Sequence, residues 1–423
     1  MELGRLLADV SRDVRMSLEA VLDGRELGWQ EATRLCAVRG RDLQALVLVA
    51  DELRRQQVGD RVGYVINRNI NFTNVCNKSC KFCAFSRSGR SEEGYFLDEN
   101  EIVRRALQAQ SMGATEVCIQ AGLAPGMDPH FYANFCRAIR RAAPALHIHA
   151  LSPEEVKYGA MLRGISIRDF LAEMIEAGLG SLPGTSAEIL DDNVRERLAP
   201  GRISTAEWVE VITSAHALGL RTTSTVMFGH IESDEERMRH LCLLRSLQKE
   251  TGGFTEFVPL SFVHEEAPAF LRSGLTDLRE GPTGSDVVRL YALARILLGA
   301  SIPNIQASWV KEGLRFSEWL LQCGANDLGG TLINESISTS AGAKHGQLQS
   351  PRALRRAIRD AGRVPCQRDT LYRVVKEWPE EEEAAEEIQE PLDQISDPVT
   401  LFGSYDKLKA DARFRFRPST GSG

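Results

Sequence analysis

A (β/α)8 barrel is the fold this chain of 423 residues predicts. Three observations carry the prediction. Short β-rich runs alternate with capped helices from Val65 onward, the alternation repeats eight times in about 290 residues, and the first, third and seventh runs put polar side chains on one face and apolar ones on the other. A doubly wound open sheet is the alternative, weakened by the absence of a Gly-x-Gly-x-x-Gly turn.

Residues 1–58 come first, with helical patterning and charged faces, as in Leu43, Leu46, Val47 and Ala50 at three-to-four spacing. The eight β-rich runs then centre near residues 70, 118, 148, 181, 224, 257, 306 and 327. The helices between them open on recognisable caps. Asp98 has Glu101 three residues on, Ser152 precedes Pro153 and Glu155, Ser204 pairs with Glu207, and Ser233 pairs with Glu236. Gly113, Gly178 and Gly219 stand where such helices stop.

Alternation within the runs says what fills the barrel. Asn67, Asn69, Asn71 and Thr73 share one face of the first run, against Ile66, Ile70 and Phe72. His147 and His149 oppose Leu146, Ile148 and Ala150 in the third, and Asn304, Gln306 and Ser308 oppose Ile305, Ala307 and Trp309 in the seventh. The apolar sets belong under the helices, so the polar sets point into the lumen. Barrels of this kind are normally packed with branched apolar residues. Amides and imidazoles there are costly to bury unless they bind something polar, which points to a large hydrogen-bonding ligand.

Composition bounds the function class. Apolar stretches are broken by charge well before about 18 residues, and Glu2 and Arg5 precede any apolar core, so neither a membrane span nor a signal peptide is expected. The expectation is a soluble, reduced, cytoplasmic protein. Of the net charge of −7, the run Glu377 to Glu390 supplies eight glutamates; without them the chain is near neutral. Basic residues are dispersed, which excludes a nucleic-acid surface. The expected organisation is a helical extension over 1–58, a barrel over 59–376, and an acidic, flexible tail over 377–423 that includes Arg413–Pro418.

Chemistry concentrates in Cys76-Asn77-Lys78-Ser79-Cys80-Lys81-Phe82-Cys83. CxxxCxxC offers three thiolates to three irons of a cubane cluster and leaves the fourth iron open, whereas a structural site closes every position. A zinc site would need a fourth ligand, with Cys118 and His130 the nearest downstream. A Cys80–Cys83 redox pair would leave Cys76 without a role. The other six of the nine cysteines sit among apolar residues and read as small hydrophobes. Because the run follows the first strand, it belongs at the C-terminal, active-site face of the barrel.

CxxxCxxC with an aromatic before the last cysteine resembles the radical S-adenosylmethionine (radical SAM) superfamily. The resemblance implies a [4Fe–4S] cluster on Cys76, Cys80 and Cys83 whose open iron chelates S-adenosylmethionine. It implies reductive cleavage to a 5′-deoxyadenosyl radical that takes hydrogen from a substrate. Phe82 would cap the cluster or stack on a base. Gln120-Ala121-Gly122-Leu123 stands where relatives carry a Gly-Gly-Glu segment for the methionyl amine; its acidic residue is missing here, leaving backbone carbonyls or Gln120. Glu188 matches a ribose ligand, and Thr225 and Met227 an adenine bed.

Further blocks narrow the resemblance. Asn71–Cys76, Gly94–Leu97 and His147–Ala150 resemble the branch holding the menaquinone futalosine-pathway enzymes and the second subunit of deazaflavin (FO) synthase. Thr251–Phe262, Asn334–Ser338 and Ala341–Gly346 look most like that FO synthase subunit family, usually called CofH, over roughly residues 15–375. The resemblance implies coupling of the 4-hydroxybenzyl group of L-tyrosine to 5-amino-6-(D-ribitylamino)uracil, with a separate CofG-type radical SAM partner subunit and a low-potential electron donor. Inward Asn69, Asn71, His147, Gln306 and Ser308 are the candidate substrate contacts, and His149 or Glu256 the candidate proton acceptor. His230, His264 and His345 fall on loops at strand ends. An aminofutalosine synthase-like reaction is the sister reading, and a non-catalytic iron–sulfur or zinc protein the reading from another class.

Overall fold

The computed structural model describes residues 9–271, 275–378 and 390–417. Six parallel strands form one curled sheet in chain order: β2 (Asn67–Asn69), β3 (Glu116–Ile119), β4 (His147–Ala150), β5 (Ser181–Leu182), β6 (Arg221–Phe228) and β7 (Phe254–Ser261). Single parallel bridges continue the ring, from Phe257 to Ile305, from Gln306 to β8 (Asp327–Gly330), and from Ile333 back to Arg68. All eight expected runs are therefore staves of one barrel. The seventh is reduced to the bridge at residues 305–306, because Pro303 shortens it on one side and the short helix Trp309–Glu312 begins directly on the other.

The caps form as their spacing implies. Asp98 accepts the Glu101 amide, and Ser152, Ser204 and Ser233 each complete a reciprocal box with the glutamate three residues on. Gly178, at φ 114°, closes helix Ile167–Ala177 in a conformation other residues rarely adopt. At the N-terminus, helix Gly40–Val58 packs on helix Gly284–Leu298, pinned where Arg295 donates to the Gln57 amide oxygen at 2.9 Å.

The polar lumen is present, but its lower half is filled by the protein itself. Strand β9 (Val364–Arg368) pairs parallel with β1 (Arg61–Val65), which runs directly into β2, and β10 (Val374–Glu377) returns antiparallel on β9. This hairpin sends side chains into the barrel floor. Arg368 makes a two-pronged contact with Asp327, at 2.5 and 2.9 Å, and reaches Glu256 at 3.5 Å. The Tyr372 hydroxyl donates to Glu256. Ser181 Oγ lies 2.7 Å from both His147 Nε2 and His149 Nδ1, and Asn67 donates to Glu116 at 2.8 Å. Polar lining alone therefore did not require a ligand at that depth. The distant hairpin supplies the partners of Asp327 and Glu256, and barrel neighbours supply those of His147, His149 and Asn67.

Residues 390–417 correct the expected flexible tail. Helices Pro398–Phe402 and Tyr405–Ala410 form a strap over the upper edge of the barrel. Tyr405 stacks on Phe85 at 5.3 Å, its hydroxyl donates to the Phe85 carbonyl at 3.2 Å, and Phe416 N–H donates to Gly94 O at 2.8 Å. Buried Asp393 pairs with buried Arg355 at 3.1 Å. Aromatic contacts at Tyr405 and Phe416 and the buried Asp393–Arg355 pair together hold this segment in place. Most of the acidic run, residues 379–389, lies outside the described residues. No helix among the described residues is long and apolar enough to cross a membrane.

Candidate active site

The cysteine loop leaves β2 at the C-terminal end of the barrel and is held by its backbone. Cys76 N–H donates to Arg87 O at 3.0 Å, Asn77 N–H to Leu123 O at 3.0 Å, and Lys81 N–H to Leu198 O at 3.0 Å. Thr73 and Asn74 fasten its start to Tyr95, and Phe72 anchors it from below, with ring centroids 5.2–6.1 Å from Phe96, Phe131, Tyr132 and Phe135.

All three cysteines line one cavity of about 220 Å³. Beside them stand Gln120, Gly122, Glu155, Glu188 and Arg202. Gly122 is required by close approach: a Cβ there would lie 2.3 Å from the Val75 carbonyl oxygen and 3.1 Å from Cys76 Cβ. A second cavity of about 140 Å³ adjoins it, lined by Phe82, Cys83, Glu188, Thr225, Met227 and Lys311 among others.

One cation organises the cavity. Arg202 donates to Glu188 at 3.0 Å, Glu154 at 3.3 Å and Ser186 Oγ at 2.5 Å, and its guanidinium reaches Cys80 Sγ at 3.7 Å. Burial opposes its charge, but Glu188, the Cys80 sulfur and Glu154 more than offset that and keep it protonated. Burial would also raise Glu154; Arg202, the Ile203 amide and Lys78 hold it below its ordinary value instead. Glu155 does rise, to about 7, because burial outweighs its bonds to Ser152 and the Ala121 amide.

A strained loop presents two of these groups. Ser186 and Glu188 have φ of 60° and 39°, the left-handed region that L-residues avoid. Buried Arg195 holds them there, donating to Ser186 O at 3.0 Å, Ala187 O at 2.5 Å and Ile203 O at 2.6 Å. Such strain persists only where surroundings over-determine it.

The donor set fits an iron–sulfur cluster with an open position. Among the described residues no three His, Cys, Asp or Glu side chains converge on one point as a single metal ion requires. The three thiols share the wall of one cavity, where each could meet a different iron of a cluster. Burial pushes the Cys80 thiol up to about 12 and raises Cys83, so a bound metal and Arg202 are what would hold them as thiolates.

Of the residues singled out from sequence, the structure brings Phe82, Gln120, Gly122, Glu188, Thr225 and Met227 to these cavities with the three cysteines. Gln120 accepts from Thr185 Oγ1 at 2.9 Å, and its carbonyl accepts from Asn71 at 2.7 Å. His147, His149, Glu256, Gln306 and Ser308 line neither cavity. The candidate proton acceptors are engaged in the lumen: His149 shares Ser181 with His147, and Glu256 is held by Arg368 and Tyr372. Burial lowers His149 to about 4, so it is a neutral imidazole, and raises Glu256. Asn69 and Asn71 line a separate cavity under the strap, and each keeps a buried side-chain oxygen with no protein partner.

Sequence reasoning missed Arg202, Arg195, Glu154, Glu155 and Lys311. The available signal was charge in short segments just past strand ends, as in Trp309-Val310-Lys311.

A model of the radical SAM superfamily matches residues 70–244, and one of the CofH/MqnC C-terminal region matches 251–382. A 5-amino-6-(D-ribitylamino)uracil–L-tyrosine 4-hydroxyphenyl transferase of Methanothermobacter thermautotrophicus is 49% identical over 348 residues, 82% of this chain and 94% of that protein. An FO synthase of Nocardia farcinica is 46% identical over 361 residues, 85% of this chain but 41% of that protein. The crystal structure of methylornithine synthase (PylB) superposes with TM-score 0.64 at 18% identity, over 82% of this chain and 96% of that one, a likeness of fold.

Proposed function

We infer that this chain, which belongs to the radical SAM superfamily and within it to the 5-amino-6-(D-ribitylamino)uracil–L-tyrosine 4-hydroxyphenyl transferase family, couples the 4-hydroxybenzyl group of L-tyrosine to 5-amino-6-(D-ribitylamino)uracil in deazaflavin biosynthesis. The observation that carries the reading is 49% identity extending over 94% of such a transferase. Identity at that level spans the barrel and the C-terminal region, not the cysteine motif alone.

Cys76, Cys80 and Cys83 would hold the [4Fe–4S] cluster, with Phe82, Gln120, Gly122, Glu188, Thr225 and Met227 around S-adenosylmethionine. When bound, cluster and S-adenosylmethionine together supply the one-electron chemistry that begins with hydrogen abstraction. The chain's own residues orient and shield. Gly122 lets the end of β3 pass against Cys76, so cluster loop and cofactor cavity share a wall. Arg202 ties Cys80 to Glu188, so the cluster side and the polar wall of the cavity move together. Phe82, Phe85, Leu260, Phe262 and Ile337 make the adjoining cavity apolar, which keeps water from a reactive species. Glu155, at about 7, can hold or release a proton at the cavity wall near neutrality.

The matched stretch is 41% of FO synthase, which supports a separate CofG-type subunit for the remaining steps. A low-potential electron donor and a cytoplasmic setting complete the proposal. The experiment is anaerobic incubation with reductant, S-adenosylmethionine, L-tyrosine and the ribityl uracil, read by mass spectrometry. The expected result is free 5′-deoxyadenosine with a hydroxybenzyl adduct of the uracil. An adenosyl group carried into product when an enolpyruvyl benzoate is supplied would instead assign an aminofutalosine synthase-like reaction, and neither free 5′-deoxyadenosine nor an adenosylated product with any substrate would refute both.

A further inference from the structure

Lys311 stands at the C-terminal end of the barrel, in helix Trp309–Glu312 just beyond the bridge at 305–306. It is common to two cavities. One, of about 140 Å³, contains Cys83, Glu188 and Met227; the other, of about 280 Å³, opens outward past Glu312, His264 and His345. Among the described residues it is the one cation lining the first cavity.

Among the described residues no hydrogen bond and no ion pair within 4.0 Å engages its ammonium. The nearby carboxylates are committed elsewhere. Glu312 accepts from Ser261 Oγ, and Glu335 accepts from the Ser338 and Thr339 amides at 2.8 and 3.2 Å. The other strong cation of the site, Arg202, already has three side-chain acceptors. An ammonium partly buried at a cavity wall, with carboxylates nearby but no hydrogen bond or ion pair within 4.0 Å among the described residues, leaves room for an anion to join it.

Of the two substrates in the proposed reaction, tyrosine carries a carboxylate and the ribityl uracil is uncharged. We propose that Lys311 binds the α-carboxylate of the amino-acid substrate and so selects an amino acid over the matching amine. The proposal rests on the functional reading above. Its ligand chemistry, an α-amino-acid carboxylate, has two sources in the reaction mixture, tyrosine and the methionyl part of S-adenosylmethionine, and the test separates them.

The test is anaerobic equilibrium dialysis of reconstituted holoenzyme with labelled L-tyrosine, tyramine or S-adenosylmethionine, for wild type, Lys311→Met and Lys311→Arg. Tyramine keeps the ring and amine and lacks the carboxylate. Lys311→Met is expected to weaken tyrosine binding at least tenfold, about 1.4 kcal/mol. Tyramine and S-adenosylmethionine affinities should stay unchanged, and Lys311→Arg should restore most of the loss. Iron content equal to wild type shows the variant is folded; if Lys311→Met does not load iron, Lys311→Gln carries the same comparison. Equal losses for tyrosine and tyramine, a loss confined to S-adenosylmethionine, or no loss overturns the assignment. Wild-type enzyme that binds tyrosine through Lys311 yet forms no coupled product would remove the proposed reaction and leave the lysine in place.

Discussion

Replacing Gly122 by alanine should damage the cluster loop from the opposite strand end. The new Cβ would lie 2.3 Å from Val75 O and 2.8 Å from Val75 C, both backbone atoms that cannot rotate away. Ordinary contact requires a retreat of roughly 1 Å. Both sides are pinned, since Gly122 N–H donates to Thr73 O at 2.9 Å and Asn77 N–H to Leu123 O at 3.0 Å. Overpacking against fixed backbone costs about 2–3 kcal/mol. With an unfolding entropy of about 2.1 cal/mol/K per residue, the whole chain loses roughly 2–3 °C in Tm. Iron loading should fall much further, because the displaced residues carry Cys76. Thermal melts of the apoprotein and iron counts after anaerobic reconstitution measure the two effects. Gly164→Ala is the control: its φ of 64° makes alanine strained there, but no atom lies within 4 Å, so it should lower Tm by a similar or smaller amount and load iron normally. A Gly122→Ala protein that melts and loads like wild type would refute the reasoning.

Arg195→Met removes the donors that hold Ser186 and Glu188 in the left-handed region; a loss of about 3–5 kcal/mol is expected in urea unfolding, with weaker S-adenosylmethionine binding in dialysis. His240 is buried between the Leu190 amide and Thr225 O, and burial lowers it to about 3. The unfolded chain binds that proton below about 6.5 and the folded chain does not, so stability falls as pH drops from there toward 3. His240→Leu should flatten this slope by up to one proton, about 1.4 kcal/mol per pH unit, in urea titrations at pH 5, 6 and 7. Tyr405→Ala, which removes the stack on Phe85, should destabilise the strap by about 3 kcal/mol and speed tryptic release of the C-terminal segment. Unchanged digestion would mean the strap is held elsewhere.

Periodicity and caps made the barrel legible because both are local. Asp98, Ser152, Ser204 and Ser233 needed only residues three positions away to be read as helix starts. The inward faces of β2 and β4 followed from alternation for the same reason. Partners that arrive from far along the chain were not legible. Arg368 reaches Asp327 across 41 residues, Tyr372 reaches Glu256 across 116, and Tyr405 reaches Phe85 across 320. Without them, Glu256 and Asp327 had no visible partner at the barrel floor, and the strap looked like an unstructured end. At the site, the cysteines and Glu188 lay in recognisable motifs, whereas Arg202 and Lys311 had only charge in a strand-end loop to mark them.

The most direct test is the iron and acid-labile sulfide content of anaerobically reconstituted protein, for wild type and for Cys80→Ala. The cysteine loop at the barrel mouth predicts about four of each per wild-type chain, with a broad absorption band near ~410 nm, and loss of both in the variant. A colourless wild-type protein carrying one zinc, or a variant that keeps its cluster, would contradict the assignment.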